Sequence, residues 1–130
     1  MTVLDASAAV ELLLALRRAE VLQERLFHAF ETLHAPHLLD VEVAQVIRRY
    51  AARGEISAAR GAQALADLRE MRLTRYAHEP LLERVWQLRA NASAYDATYL
   101  ALAETLDVPL VTCDAALAAV PGVRAPVEVF

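Results

Sequence analysis

No lysine occurs anywhere in this 130-residue chain, and all 13 of its basic residues are arginine. That one absence removes every mechanism that needs a lysine. A P-loop requires glycines at fixed spacing and a lysine that reaches the phosphates, and the chain supplies neither. Phosphoaspartate receiver domains also build an acidic metal pocket on a parallel sheet, and they too rely on a lysine. Glycine is scarce as well: Gly54, Gly61 and Gly122 are the only 3, too dispersed for the close triplet of a dinucleotide-binding turn. Cysteine occurs once, at Cys113, so no internal disulfide forms and no structural zinc site can be completed. The 4 histidines, His28, His34, His37 and His78, include no pair backed by cysteine ligands. His34 and His37 flank Pro36 in a turn, where solvated or hydrogen-bonded roles are expected. No apolar stretch approaches the roughly 18 residues of a membrane span. The amino terminus shows no basic segment leading into an apolar run and a cleavage site. A cytoplasmic protein with no membrane association is therefore expected.

What is present reads as a globular protein. Hydrophobic residues make up 57% of the chain against 3 glycines and 5 prolines, a balance that fits a packed core rather than disorder. The length suits one compact domain over residues 1–130. The net charge of −4 argues against broad adhesion to nucleic acid or anionic membrane, leaving room for local patches. Arginine is the side chain best shaped for bidentate phosphate contact, but its exclusive use reflects a biased genomic composition more simply.

Along the chain, strand-like and helical patterns alternate. Val3 to Asp5 reads as a buried strand, and Ser7 can cap the helix that follows. That helix, Ala8 to Leu16, is apolar on nearly every side, which suits burial, a dimer contact or a groove for a partner segment. A second helical pattern runs to about Phe30 through Val21, Leu22, Arg25, Leu26 and Ala29. Thr32 to Ala35 is a second strand closed by Pro36. A helix from about Leu39 to Arg53 ends at Gly54 in the position of a C-terminal cap. Ser57 opens a helix to about Met71, slightly weakened by Gly61. Leu73 to Ala77 is a third strand, Pro80 to Ala90 helical with proline in the first turn, and Ser93 begins a helix ending near Leu106. Leu110 to Thr112 is the fourth strand, Ala115 to Ala119 a short helix, and Val127 to Val129 a fifth strand. Such alternation implies an α/β fold, a parallel sheet with helices on both faces.

Four acids stand at equivalent edges of this pattern. Asp5 and Asp114 end strand-like runs, whereas Glu42 and Asp96 stand where helical patterns begin. In a parallel sheet the carboxyl ends of strands and the starts of following helices share one rim, where such sheets bind ligands. Close carboxylate pairs repel by roughly 4 kcal/mol at a moderate effective dielectric, so a divalent cation is the cheapest way to hold four together. Oxygen-only donors point to magnesium or manganese. Each acid also has an ordinary explanation: Asp5 or Ser7 as a helix cap, Glu42 as a complement to a helix dipole, Asp96 in a capping box with Ser93, and Asp114 as a turn residue. Asp40 points to a different side of its helix from Glu42 and reads as a cap or a solvated residue. An aspartate-nucleophile phosphatase would carry a second aspartate two positions after the first, and here that position is Ser7.

The runs Val3-Leu4-Asp5-Ala6-Ser7-Ala8, Glu42 on its helix, Tyr95-Asp96-Ala97-Thr98-Tyr99-Leu100-Ala101-Leu102-Ala103-Glu104 and Pro109-Leu110-Val111-Thr112-Cys113-Asp114 together resemble the PIN-domain nucleases, most closely the VapC toxins of bacterial toxin-antitoxin pairs. The likeness covers the whole chain in order and length. The stretch from about Glu55 to His78 carries no family motif. The resemblance implies a three-layer α/β/α fold with a five-stranded parallel sheet in order 3-2-1-4-5. It implies an Mg²⁺- or Mn²⁺-dependent endoribonuclease, and a homodimer inhibited by a VapB-type antitoxin. Asp5, Glu42, Asp96 and Asp114 match the family's acidic residues, with Asp5 and Asp96 the first choices as direct ligands and Asp114 and Glu42 serving a second ion or orienting water. Ser7 and Thr112 match its supporting hydroxyls. In such a site the metal acidifies a bound water, holds the scissile phosphate and shields charge during in-line attack.

Carboxylates repel RNA, so arginines should border the site. Arg49 and Arg53 lie seven and eleven residues beyond Glu42, near one helix face with it, and are the expected phosphate contacts. Tyr99, Leu100 and Ala103 are expected to face the core, and Trp86 to support core or dimer packing. A PIN module that binds RNA or protein without cutting is the alternative, and a metal-dependent phosphatase or exonuclease of similar architecture is a third.

Overall fold

The computed structural model describes residues 1–27 and 30–130. Its elements follow the expected alternation: β1 (Thr2–Leu4), α1 (Ala6–Leu13), α2 (Ala19–Leu26), β2 (Leu33–Pro36), α3 (Leu38–Ala52), α4 (Ala58–Glu70), β3 (Leu73–Tyr76), α5 (Leu82–Gln87), α6 (Ala94–Leu106), β4 (Leu110–Thr112), α7 (Ala115–Ala118) and β5 (Val127–Val129). A single 3₁₀ turn, Glu79–Leu81, precedes α5. Helix α2 ends at Leu26, short of the expected Phe30, because Phe27 leaves helical geometry at φ −104° and ψ 47°; His28 and Ala29 lie outside the described residues.

All strand pairs are parallel, and the sheet runs β3-β2-β1-β4-β5. The chain moves outward from β1 through β2 to β3, then returns to lay β4 on the other side of β1. Right-handed crossovers therefore put α1 to α4 on one face and α5 and α6 on the other. In agreement, α1 packs on α3, while α6 packs on β1 and β2. The central strands β1, β2 and β4 are buried along their whole length, and the edge strands β3 and β5 are partly open. That is the burial expected of a sheet covered on both faces. Val3, Leu4, Leu100, Leu110 and Val111 form the fully buried centre of the core.

Local departures have physical reasons. Helix α1 stops at Leu13 rather than Leu16, because Ala15 takes a left-handed conformation at φ 51°, and the Leu16 N–H turns back to the Glu11 carbonyl at 2.9 Å. This is a Schellman-like stop made without glycine, at a cost of about 1–2 kcal/mol. Asp5, not Ser7, caps α1. The expected helix from Pro80 splits into the 3₁₀ turn and α5, with Pro80 in the tighter segment. Gly54 ends α3 at φ 73°, as expected. Gly61 does more than weaken α4: a Cβ there would stand 3.1 Å from Ile47 Cγ2, so its bareness lets α4 approach α3. Among the described residues no helix is long and apolar enough to cross a membrane.

Candidate active site

The reversal of strand order falls between β1 and β4, and ligands of open α/β sheets bind outside the carboxyl ends of the strands at that point. Asp5 stands there, immediately after β1, with its residue only 5% exposed. Its Oδ1 accepts the Ala8 N–H at 2.9 Å and the Ser7 hydroxyl at 2.7 Å, and its Oδ2 accepts the Thr112 hydroxyl at 2.6 Å. The two hydroxyls reach further. Ser7 Oγ accepts the Cys113 N–H at 2.8 Å, and Thr112 Oγ1 accepts the Asp114 N–H at 2.9 Å. Both hydroxyl protons go to Asp5, so the 3.3 Å approach of Ser7 to Thr112 is a contact with no proton to share. The ends of β1 and β4 are thus sewn together through one buried carboxylate.

The other acids come from separate elements. Asp114 caps α7, accepting the Ala116 N–H on Oδ1 at 2.9 Å, and is exposed. Asp96 stands half-buried in the first turn of α6, where Ser93 Oγ accepts its N–H at 3.1 Å. The capping box is only half made, for among the described residues no bond returns from the Asp96 carboxylate. Glu42, half-buried on α3, accepts a very short hydrogen bond on Oε2 from the Tyr99 hydroxyl of α6.

These groups feel one another. Burial, first of all, raises the Asp5 carboxyl above its ordinary range, with Asp114 adding repulsion. Burial likewise raises Glu42, and Asp96 and Asp5 push it further. Tyr99 is held protonated by burial, by its bond to Glu42 and by the charges of Glu42, Asp5 and Asp96. The amino ends of α1, α6 and α7 open on the same rim, and their dipoles favour negative charge. The rim gathers all four acids, yet among the described residues no three His, Cys, Asp or Glu side chains stand close enough to hold one ion. The acids repel one another, and Asp5, Glu42 and Asp114 have each taken a hydrogen-bond donor of the chain instead.

A family profile for the PIN domain matches residues 2–123. The chain belongs to the PIN-domain family. It is 46% identical over 129 residues to ribonuclease VapC9 of Mycobacterium tuberculosis, covering 99% of this chain and 98% of that one. Among solved structures, PAE2754 from Pyrobaculum aerophilum shares the fold at a TM-score of 0.73 and 24% identity, covering 97% of this chain and 87% of its own. VapBC2 from Rickettsia felis, solved bound to a DNA fragment from its promoter, matches at 0.70 and 13%, covering 98% and 96%.

The donor set of this PIN domain fits a hard divalent cation: carboxylate oxygens, no thiolate and no histidine, with two members whose charged forms burial disfavours. The expected phosphate contacts are less central. Arg49 and Arg53 are exposed, and at 1.5 Å per residue they lie about 10 and 16 Å along α3 from Glu42. Arg53 pairs with Glu55 at 3.8 Å. Arg18, paired with Glu11 at 3.7 Å, lies nearer the rim: its guanidinium partly offsets the burial that, first of all, pushes the Cys113 thiol up to about 11. Arg18 was missed because only the turn after α1 brings it back beside Cys113. Tyr99 was expected in the core, and it is 2% exposed there, but its hydroxyl reaches Glu42. Asp40 does not cap α3: Arg75 grips both its oxygens at 2.8 and 2.9 Å, on a side chain that stays 41% exposed to solvent. His34 is hydrogen-bonded, between Thr32 and Tyr76.

Proposed function

We propose that this chain, as a single PIN domain over residues 1–130, is a metal-dependent endoribonuclease of the VapC type, acting in the cytoplasm as the toxin of a toxin-antitoxin pair. The observation that carries the reading is the acidic rim at the switch point, with Asp5 clamped by Ser7 and Thr112, in a chain whose relatives at over 40% identity are VapC ribonucleases. Asp5 and Asp96 would hold Mg²⁺ or Mn²⁺, with Asp114 and Glu42 completing the set or orienting the attacking water. The ion, when bound, supplies Lewis acidity toward phosphate and water. To share one ion the more exposed carboxylates of Asp96 and Asp114 must reorient toward Asp5, which Ser7 and Thr112 hold fixed.

Purified protein incubated with structured and single-stranded RNA is expected to make internal cuts in Mg²⁺ or Mn²⁺ and none in chelator. Binding without cutting in any metal would favour the non-cleaving module, and products released only from RNA ends would favour an exonuclease.

Arg18 at the rim, with Arg49 and Arg53 further along α3, would contact RNA phosphates. Each true contact removed by an alanine substitution should lower the slope of log binding constant against log salt by about 0.7 for single-stranded RNA. Arg18→Ala should also lower cleavage most, and an unchanged slope in any variant strikes that residue from the interface. A VapB-type antitoxin segment would seat in the cleft of about 590 Å³ between α1, α2 and α4, lined by Leu12, Leu13, Leu26, Phe27 and Met71. Leu82 and Trp86, one turn apart and exposed on α5, offer an apolar stripe for the second copy of a homodimer.

A further inference from the structure

Tyr99 and Glu42 are 57 residues apart and sit in different helical layers, α6 and α3, on opposite faces of the sheet. Their hydrogen bond passes over the carboxyl edge of the sheet, where the acids gather. Tyr99 as a residue is 2% exposed, so packing fixes the phenol and the hydroxyl has little freedom to seek another partner. Glu42 carries more rotatable bonds than any other acid of the rim, and it stands only half-buried. Held by nothing, it would sample several rotamers, at a cost in entropy whenever one was required. The hydroxyl is also set among three of the four acids, since Glu42, Asp5 and Asp96 all act on it electrostatically. An arginine in that place would neutralise the charge that a cation needs, and an acid would add to the repulsion. A neutral donor does neither.

We propose that Tyr99 is a positioning residue for the cation-binding face of Glu42: by holding Oε2, its hydroxyl fixes the rotamer and leaves Oε1 as the oxygen free to meet a divalent ion. The proposal rests on the ribonuclease reading. It extends that reading to a group that touches neither ion nor RNA and acts only through the carboxylate it orients, in the way that outer partners hold the ligands of metal sites. Asp96 lies three residues earlier on the same helix face as Tyr99, so one element presents a carboxylate to the rim and orients a second.

The test uses Tyr99→Phe, whose ring fills the same space. Mn²⁺ binding is measured directly by electron paramagnetic resonance of the free ion, and cleavage is resolved into kcat and KM. The variant is expected to melt within a few degrees of wild type. Its Mn²⁺ dissociation constant should rise about 10-fold, with a matching fall in kcat and an unchanged KM for RNA. In a Glu42→Ala background the same substitution should change neither quantity, because the carboxylate it served is gone. Wild-type Mn²⁺ affinity and kcat in Tyr99→Phe would overturn the proposal while leaving the ribonuclease reading intact. So would effects that add in full to those of Glu42→Ala, or a Tyr99→Phe chain that fails to fold, either of which marks the hydroxyl as a strut of the fold. A wild-type chain that neither binds Mn²⁺ nor cuts RNA overturns both.

Discussion

Asp5→Asn is expected to melt at a higher temperature than wild type in chelator at neutral pH, and to cleave RNA at least about 100-fold more slowly in Mn²⁺. Both halves follow from the position of one carboxylate. At 5% exposure Asp5 is stripped of water, and burial is the first cause of its raised pKa. A carboxyl group with a higher pKa folded than unfolded binds protons more readily in the folded state. Stability therefore falls as pH rises from the unfolded value of 3.8 through the folded pKa, and above that the whole penalty is present. Asparagine carries no charge and no such penalty.

The hydrogen bonds survive the exchange. The amide oxygen of asparagine can take the Ala8 N–H and the Ser7 hydroxyl, as Oδ1 of Asp5 does. Its amide nitrogen must donate to Thr112 Oγ1, which then turns its own proton to Ser7 Oγ, 3.3 Å away. No donor of the wild-type chain loses its partner; the second amide N–H that asparagine brings has none in this network, and its roughly 1–3 kcal/mol offsets only part of what removing the charge restores. Melting curves from pH 3 to pH 8 in chelator measure the difference. It should be near zero below pH 3.8, open in favour of Asp5→Asn as pH rises, and then level off. Divalent ion should reverse the order, because a ligand at 100 times its dissociation constant adds about 2.7 kcal/mol to a chain that binds it, and the variant has lost a ligand. A variant less stable than wild type at pH 7 would mean that the Asp5 charge supports the fold, and the view of this rim as strained by its own charge would have to be given up.

How far residues alone announced this arrangement depends on the kind of information each step needed. The strands were legible because buried parallel strands are continuous apolar runs, as in Val3-Leu4 and Leu110-Val111. Ser57, Ser93 and Gly54 marked the start of α4, the start of α6 and the end of α3. The strand order was not: alternation of strands and helices implies a parallel sheet, and the order came with the family resemblance. Helix α1 ended early because Ala15 took a conformation that alanine seldom adopts, for which no residue signal exists. Asp5 and Ser7 are both competent caps two positions apart, and only the hydroxyl's better use between Asp5 and Cys113 decides between them. Helical spacing placed Arg49 and Arg53 on the face of Glu42, but a face is not a depth, and the rise along α3 carries both away from the rim. Tyr99 passed for a plain core residue because its partner is 57 positions distant. Ser93 and Asp96 gave the opposite lesson, since the predicted capping box formed on its backbone side only, and among the described residues no donor holds the carboxylate.

The largest loss of stability is expected from a residue that touches no part of the rim. Glu104 lies on α6, eight positions beyond Asp96 and five beyond Tyr99, with its side chain 3% exposed. Arg84 of α5 grips both its oxygens at 2.7 and 3.0 Å, and Arg124 adds a backbone N–H at 2.9 Å and a guanidinium contact at 3.1 Å. Arg84 also donates to the Gly122 carbonyl at 2.7 Å, so one carboxylate ties α5, α6 and the segment leading to β5. Glu104→Ala leaves the Arg84 guanidinium, 24% exposed, without its carboxylate, whereas Arg124, 74% exposed, turns to water, so the loss in denaturant melts should be about 3 kcal/mol, the low end for a broken buried pair. The pH dependence runs opposite to that of Asp5. Chiefly through its bonds to Arg84, Glu104 is lowered from 4.5 to about 2, so its contribution is complete above pH 4.5 and fades as pH falls toward 2. Glu104→Gln keeps one acceptor and loses the charge, and its deficit against wild type should narrow through that window. A deficit undiminished at pH 2 would assign the loss to packing and hydrogen-bond shape rather than to charge. In either case α6 would be held less firmly, and because it carries both Asp96 and Tyr99, Mn²⁺ affinity should weaken in Glu104→Gln although the substitution leaves the acidic rim itself unchanged.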